Sequence, residues 1–383
     1  MGLMLNRMHT FWNAYTQVIL IFVATRFLIF LITGSVYVSA HLEPSAEGLV
    51  LSRGMSLTSV PLKMWERWDS QHYIEIATTG YTLTLNRALN TAYFPLYPLA
   101  GRLLNWLIPD VRLCLLLVSY IAFFVAVVLL YKLALLDFDP ATALRAVVYV
   151  SVYPFTVFFS GIFTESLFLM LLVATMYFAR TQQWFRAGFS GMFLTATRLL
   201  GMAAAPALTW EYCHQRRWDL RKIDRSALAL LVVPLGLLAF MVYTYIAHDD
   251  FLSTFHSTRQ IWGGKPSWPW VSFQNQIGRL GIPQLVPTAA FELLFALFAI
   301  GVLIGCFKYL RMSYALVAAV LVLVSFSNVS LQSFCRYLTT VFPMYLLLAQ
   351  AGRRNGVHAL IMIVSVAGML FFTALFANGR FIG

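Results

Sequence analysis

Apolar residues fall along this chain in long unbroken runs, separated by short polar segments. A bilayer core about 30 Å thick is crossed by roughly 20 apolar residues in helical form. Runs of about that length, or somewhat shorter, lie at 17–38, 112–132, 144–160, 164–180, 227–247, 288–307, 312–330, 337–350 and 357–376. They predict an all-α polytopic bundle of about nine full spans. A spanning β-barrel would instead alternate apolar and polar residues over segments of about 10 residues, and no such alternation is present.

One run does not fit a simple crossing. Residues 187–209 look like a single span, yet Arg180 and Arg186 precede it and Arg216, Arg217, Arg221, Lys222 and Arg225 follow it. Basic loops stay on the cytoplasmic side. One crossing cannot put both groups there, whereas a hairpin of two half-helices can, with its turn at Thr197–Gly201. Broken helices at membrane depth are tolerated only where protein or a wet cavity surrounds them. The turn therefore predicts a cavity near Arg198.

The same rule places the N-terminus, with Arg7, in the cytoplasm and the end of the last helix outside. Two longer polar stretches, 39–92 and 248–285, then become outer loops of one integral membrane domain spanning 1–383. Within the first loop, "AYFPLYPLAGRLL" carries two prolines three residues apart and reads as an interfacial segment, since proline disrupts a helix interior. The run 17–38 is too long for a signal-peptide core and holds Arg26, so it reads as a retained helix although Val38-Ser39-Ala40 is like a cleavage site.

Composition agrees. Of 383 residues, 60% are hydrophobic and only 11% charged, where soluble domains carry about 25%. Mean hydropathy is +0.75. The net charge of +12 lies mostly in short loops, so it sets orientation and implies no nucleic-acid partner. Cys114, Cys213, Cys306 and Cys335 are scattered, form no CxxC pair and read as free thiols. No Asp-x-Asp metal motif stands in the first outer loop, and no metal or cofactor is expected.

With this orientation the unusual polar residues gather on the outer side: Asp69, His72, Glu165, Arg259, Trp262 and Arg336, with Arg198 reaching toward them. Each has a plainer reading. Asp69 can cap a short helix over Ser70–Thr79, with Gly80 as its stop. His72 beside Tyr73 can be interfacial packing. Glu165 can complement the dipole of the helix it begins. Arg336 beside Tyr337 can anchor at the interface. Trp262, Trp268 and Trp270 can form an aromatic belt, or platforms for a sugar ring.

Four stretches in order carry a resemblance: "RWDSQHYIEIATTGY" with "AYFPLYPLAGRLL"; "YPFTVFFSGIFTESLFLMLLVATMYFAR" with "WFRAGFSGMFLTATRLLG"; "FLSTFHSTRQIWGGKPSWPW"; and "FCRYLTTVFPMYLLLA". Together they resemble the GPI mannosyltransferase II (PIG-V-like) family, of its prokaryotic type, across most of 60–350. The family often has Asn where this chain has Leu200. The resemblance implies a GT-C glycosyltransferase that takes mannose from a polyprenyl- or dolichyl-phosphate donor, inverts the anomeric centre and needs no metal. It implies Asp69 as the catalytic base. Arg336, then Arg198 and His72, would hold the donor phosphate. Trp68, Tyr73, Glu165, Trp262 and Tyr337 would shape the sugar and acceptor pocket. The acceptor would be a lipid or glycolipid at the outer face of a plasma membrane, or the luminal face of the endoplasmic reticulum in a eukaryote. Two alternatives stay open: a GT-C transferase with another sugar or a protein acceptor, and a lipid-linked sugar transporter.

Overall fold

The computed structural model describes residues 2–45, 48–51, 56–82, 90–263 and 267–382, and the side chains among them except those of 2–13, 44–45, 48–51 and Trp262. Helix α1 (Gly2–Ala40) leads into a small antiparallel hairpin, β1 (Leu42–Ser45) and β2 (Gly48–Leu51), with Leu42 opposite Leu51. Then follow α2 (Val60–Lys63), α3 (Ser70–Thr78), α4 (Leu96–Asn105), α5 (Val111–Ala134), α6 (Pro140–Ser151), α7 (Glu165–Arg180), α8 (Trp184–Thr195) and α9 (Ala204–Gln215). The second half holds α10 (Leu228–Val232), α11 (Leu235–His248), α12 (Ser253–Trp262), α13 (Pro269–Arg279), α14 (Val286–Tyr309), α15 (Met312–Phe326), α16 (Phe334–Tyr337), α17 (Phe342–Ala351) and α18 (Asn355–Ala377).

The expected count of about nine full spans is corrected. Among the described residues four helical stretches are long and apolar enough to cross a membrane: Ala14–Ala40, Val111–Ala134, Pro283–Tyr309 and Asn355–Ala377. A fifth is possible if α10 and α11, bent by 45° at their junction, count as one. The other apolar runs are cut short. Run 144–160 stops as helix at Ser151, because Pro154 has no N–H to donate. Run 337–350 begins at the last residue of the four-residue α16, passes through a 3-10 turn at Leu338–Thr340 and enters α17 only at Phe342, with Pro343 in its first turn. Helix α7, at 16 residues, rises only about 24 Å.

Such breaks are tolerable because protein covers them. Arg26 of α1 is 3% exposed. Its Nη2 donates to the Ser151 carbonyl (2.8 Å) and its Nη1 to the Thr156 carbonyl (3.0 Å). The hydroxyls of Thr156 and Ser160 also accept from it, and Phe123 lies under its guanidinium. The carbonyls freed by the break thus find a donor at depth.

The half-helix hairpin is present. Helices α8 and α9 are 12 residues each, with a 3-10 turn at Leu199–Ala203 between them. Trp184, at the start of α8, meets Tyr212, near the end of α9, edge to face at 4.9 Å. The ends of the two half-helices that adjoin the basic loops therefore lie together, and the turn bearing Arg198 lies at the far end. A Cβ on Gly201 would stand 2.6 Å from the Leu194 carbonyl oxygen, so this turn admits no side chain there.

The proline segment also resolves. Pro95 stands at the N-cap of α4 and Pro98 in its first turn, where backbone N–H groups lack helical partners in any case. Helix α4 is 10 residues long, and packs on α3 and α5.

Candidate functional site

Trp68 has φ +46°, in the left-handed region, which costs a bulky residue of order 1–3 kcal/mol. Packing holds it there: its indole meets Phe376 and Phe381 edge-on at 5.3 and 5.4 Å. The next residue is Asp69, at the N-cap position of α3. Its side chain makes no cap hydrogen bond. Instead Oδ2 accepts from Arg336 Nη1 at 2.6 Å, and Oδ1 accepts from the Tyr93 hydroxyl at 3.3 Å. The plainer reading of Asp69 as a helix cap is thus not what the side chain does.

Arg336 continues the chain. Its Nε donates to Glu165 Oε1 at 2.6 Å, and Arg198 Nη1 donates to the same oxygen at 2.7 Å. Glu165 is the first residue of α7 and is fully buried. Its Oε2 has no hydrogen-bond partner among the described residues. Phe158 and Phe163 lie under the Arg336 guanidinium at 4.9 and 4.7 Å, and Tyr337 lies under Arg198 at 5.0 Å. The result is an alternating row, Asp69–Arg336–Glu165–Arg198, drawn from α3, α16, α7 and the hairpin turn.

Tyr93 borders the row. It stacks on His72 with ring centroids 4.6 Å apart and meets Tyr73 edge-on at 5.3 Å. Burial first, and then the Asp69 carboxylate, push the Tyr93 and Tyr73 hydroxyls well above the ordinary phenol range. Tyr93 therefore keeps its proton and acts as a donor to Asp69.

A cavity of about 540 Å³ opens on this row. Asp69, Tyr73, Tyr93, Arg198, Arg336 and Tyr337 line it, with Thr254, His256 and Arg259 of α12 and with Ser327 and Asn328 after α15. Helix α12 is tied to the segment before α4: Thr91 and Ser253 hydroxyls share a hydrogen bond of 2.8 Å, and the Ala92 N–H donates to Ser257 Oγ at 3.1 Å. A second cavity of about 470 Å³, mostly apolar, lies between α3, α4, α8 and α11. The two adjoin where Phe94–Pro95 meets Ala196–Thr197, a seam crossed by the Leu96 N–H donating to the Ala196 carbonyl at 3.1 Å. Among the described residues no three His, Cys, Asp or Glu side chains converge as metal ligands would.

The sequence can now be set beside known proteins. A family model described as mannosyltransferase (PIG-V) matches residues 15–271. The chain belongs to the PIG-V mannosyltransferase family. A comparison with curated proteins returns no match. Among solved structures, ArnT from Cupriavidus metallidurans bound to undecaprenyl phosphate is similar with TM-score 0.56 at 12% identity, over 94% of this chain and 76% of that one. The apo oligosaccharyltransferase of Archaeoglobus fulgidus gives TM-score 0.50 at 12% identity, over 94% of this chain and 56% of that one. At such identity the likeness is one of fold, and the fold is that of GT-C glycosyltransferases. This PIG-V family member is therefore an integral membrane glycosyltransferase. The matched residues include Asp69, Glu165, Arg198 and Arg259; Arg336 and Tyr337 lie beyond them.

Of the residues singled out in the sequence, Asp69, Tyr73, Arg198, Arg336 and Tyr337 meet at the cavity. Glu165 sits behind the wall, between the two arginines. His72 does not line the cavity; it stacks on Tyr93, and its Nδ1, 3.8 Å from Glu75, has no hydrogen bond. Trp68 supports the turn from outside the cavity. The Trp262 side chain lies outside the described residues. Sequence reasoning passed over Tyr93, His256 and Asn328 as site residues and left Arg259 without a role. The signal for Tyr93 was its place in the Phe-Pro-Leu-Tyr-Pro segment already noted.

Proposed function

We propose that this protein transfers mannose from a polyprenyl-phosphate (dolichyl-phosphate) mannose donor to a hydroxyl of a lipid-linked or glycolipid acceptor. The observation that carries the proposal is the Asp69 carboxylate. It is withdrawn from its helix cap, held by Arg336 and Tyr93, and presented at the wall of a cavity roomy enough for a sugar and its partner hydroxyl.

The reaction is an inverting, metal-independent displacement. The acceptor oxygen attacks C1 of the mannose from the face opposite the phosphate. The bond from C1 to the phosphate oxygen breaks, and the electron pair leaves with the phosphate. The acceptor proton passes to Asp69, as general base. The Tyr93 bond to Oδ1, at 3.3 Å, is long enough for the acceptor hydroxyl to compete for that oxygen. Arginine at the leaving phosphate stabilises the charge that grows there, and Arg198 and Arg336 line the cavity. Tyr73 and Tyr337 border the sugar. The apolar second cavity, adjoining the first, suits a lipid tail. The site faces the exterior or the lumen, because the basic loop after α9 lies at the opposite end of the hairpin from Arg198.

The test uses purified protein in nanodiscs with radiolabelled polyprenyl-phosphate mannose and a lipid extract from the source cell. Native protein yields labelled lipid, and Asp69→Asn lowers the rate about 10²- to 10⁴-fold while the protein stays folded. Equal transfer by both removes Asp69 as base. Transfer by neither, with polyprenyl-phosphate glucose or arabinose accepted instead, replaces the sugar assignment.

A further inference from the structure

The row along the cavity wall holds two carboxylates and two guanidiniums, so its formal charge sums to zero. A polyprenyl-phosphate donor brings at least one negative charge into this cavity. Burying an anion without a compensating cation is costly. The row satisfies its own charges first: Nε and Nη1 of Arg336 are engaged by Glu165 and Asp69, and Arg198 is engaged by Glu165. Two other basic side chains line the cavity, both on α12. His256 has its own carboxylate, with Nδ1 2.8 Å from Asp250 Oδ2. Among the described residues the Arg259 guanidinium has no ion-pair partner and no hydrogen bond.

We infer that Arg259 binds the phosphate of the lipid donor and supplies the net positive charge that the row lacks. The inference rests on the donor reading above and deepens it. Its geometry is favourable. The bonds of Ser253 and Ser257 fix α12 against residues 91–92, so Arg259 is carried by the same scaffold that carries Tyr93. Its guanidinium offers paired donors matched to phosphate oxygens. The plainer role for Arg259 is to complement the α12 dipole from its last turn, which is worth at most about 1 kcal/mol at an exposed site. That role concerns helix stability and has no bearing on lipid affinity.

The two roles separate in one experiment. The full chain in nanodiscs is titrated with sugar-free polyprenyl phosphate and, in parallel, with polyprenol, which lacks the phosphate. Arg259→Gln is expected to weaken polyprenyl phosphate binding and raise the donor KM by tenfold or more. Polyprenol binding, the acceptor KM and the melting temperature stay as in the native protein, and Arg259→Lys recovers part of the loss. If Arg259→Gln binds polyprenyl phosphate as the native chain does, the assignment falls while the donor reading stands. If the native chain prefers polyprenyl phosphate no more than polyprenol and transfers no sugar from it, the donor reading falls and the assignment with it.

Discussion

Helix α7 carries an ion cluster at each end, and the two differ in a way that separates chemistry from architecture. At its first residue, Glu165 takes two arginines on one oxygen and leaves the other bare beside a cavity wall. At its last, Arg180 joins a cluster around a second fully buried glutamate, Glu211 of α9. There both oxygens of the glutamate are used. Glu211 Oε1 accepts from Arg311 and Gln215, and Oε2 from Arg311 and Ser313, all at 2.8–2.9 Å. Arg180 holds both oxygens of Asp137 and also bonds the Tyr314 hydroxyl. Neither Glu211 nor Arg180 borders either of the two cavities described above. A saturated cluster fastens α7, α9 and α15 together. An unsaturated one, with a carboxylate drawn off its helix cap, lies along a cavity, as the proposed function requires.

Three substitutions probe this contrast. The largest energetic effect is expected from Glu211→Gln. Removing one charge from a buried, saturated pair costs about 3–5 kcal/mol, seen as a lower melting temperature in detergent, while the folded fraction keeps its specific transfer rate. A rate loss at unchanged stability would give that end of α7 a catalytic part. Glu165→Gln is expected to cost less in stability and more in rate. It loosens two charge-assisted bonds, each worth about 1.5–3 kcal/mol, so the melting temperature should fall by less than in Glu211→Gln, while transfer should fall roughly ten- to hundredfold. A purely thermal defect would make the two clusters alike. The smallest effect is expected from Tyr93→Phe. One long neutral-donor bond is worth about 0.5–1.5 kcal/mol, or roughly two- to tenfold in the rate constant, read as kcat with both KM values held. An effect as large as that of Asp69→Asn would make Tyr93 part of the proton path.

The elements that sequence foretold are those whose boundaries are local chemistry. The run at 112–132 emerges as α5 (Val111–Ala134), because Asp110 caps its start by accepting from the Arg112 and Leu113 N–H groups. Gly80, with φ +90°, ends α3 where a stop was expected. The hairpin turn was legible because charge on both flanks forbade a single crossing. The span count was not legible, since hydropathy sees apolar runs and misses the tertiary donors, such as Arg26, that let a run break at depth. The site was legible only as separate residues. Arg336 and Asp69 lie 267 positions apart, and Arg336 and Glu165 lie 171 apart; no periodicity links them. His72 shows the opposite case: its place in the motif pointed to the phosphate, while the fold gives it to Tyr93 as a stacking partner.

The two hydroxyl bonds joining α12 to residues 91–92 act as a mechanical coupling. Displacement of α12 pulls on residues 91–92 and so on Tyr93, which is bonded to Asp69. On the proposed reading, a lipid headgroup settling on α12 would pull on Asp69 through two residues of backbone, so that arrival of the donor would itself adjust the aim of the carboxylate proposed to react.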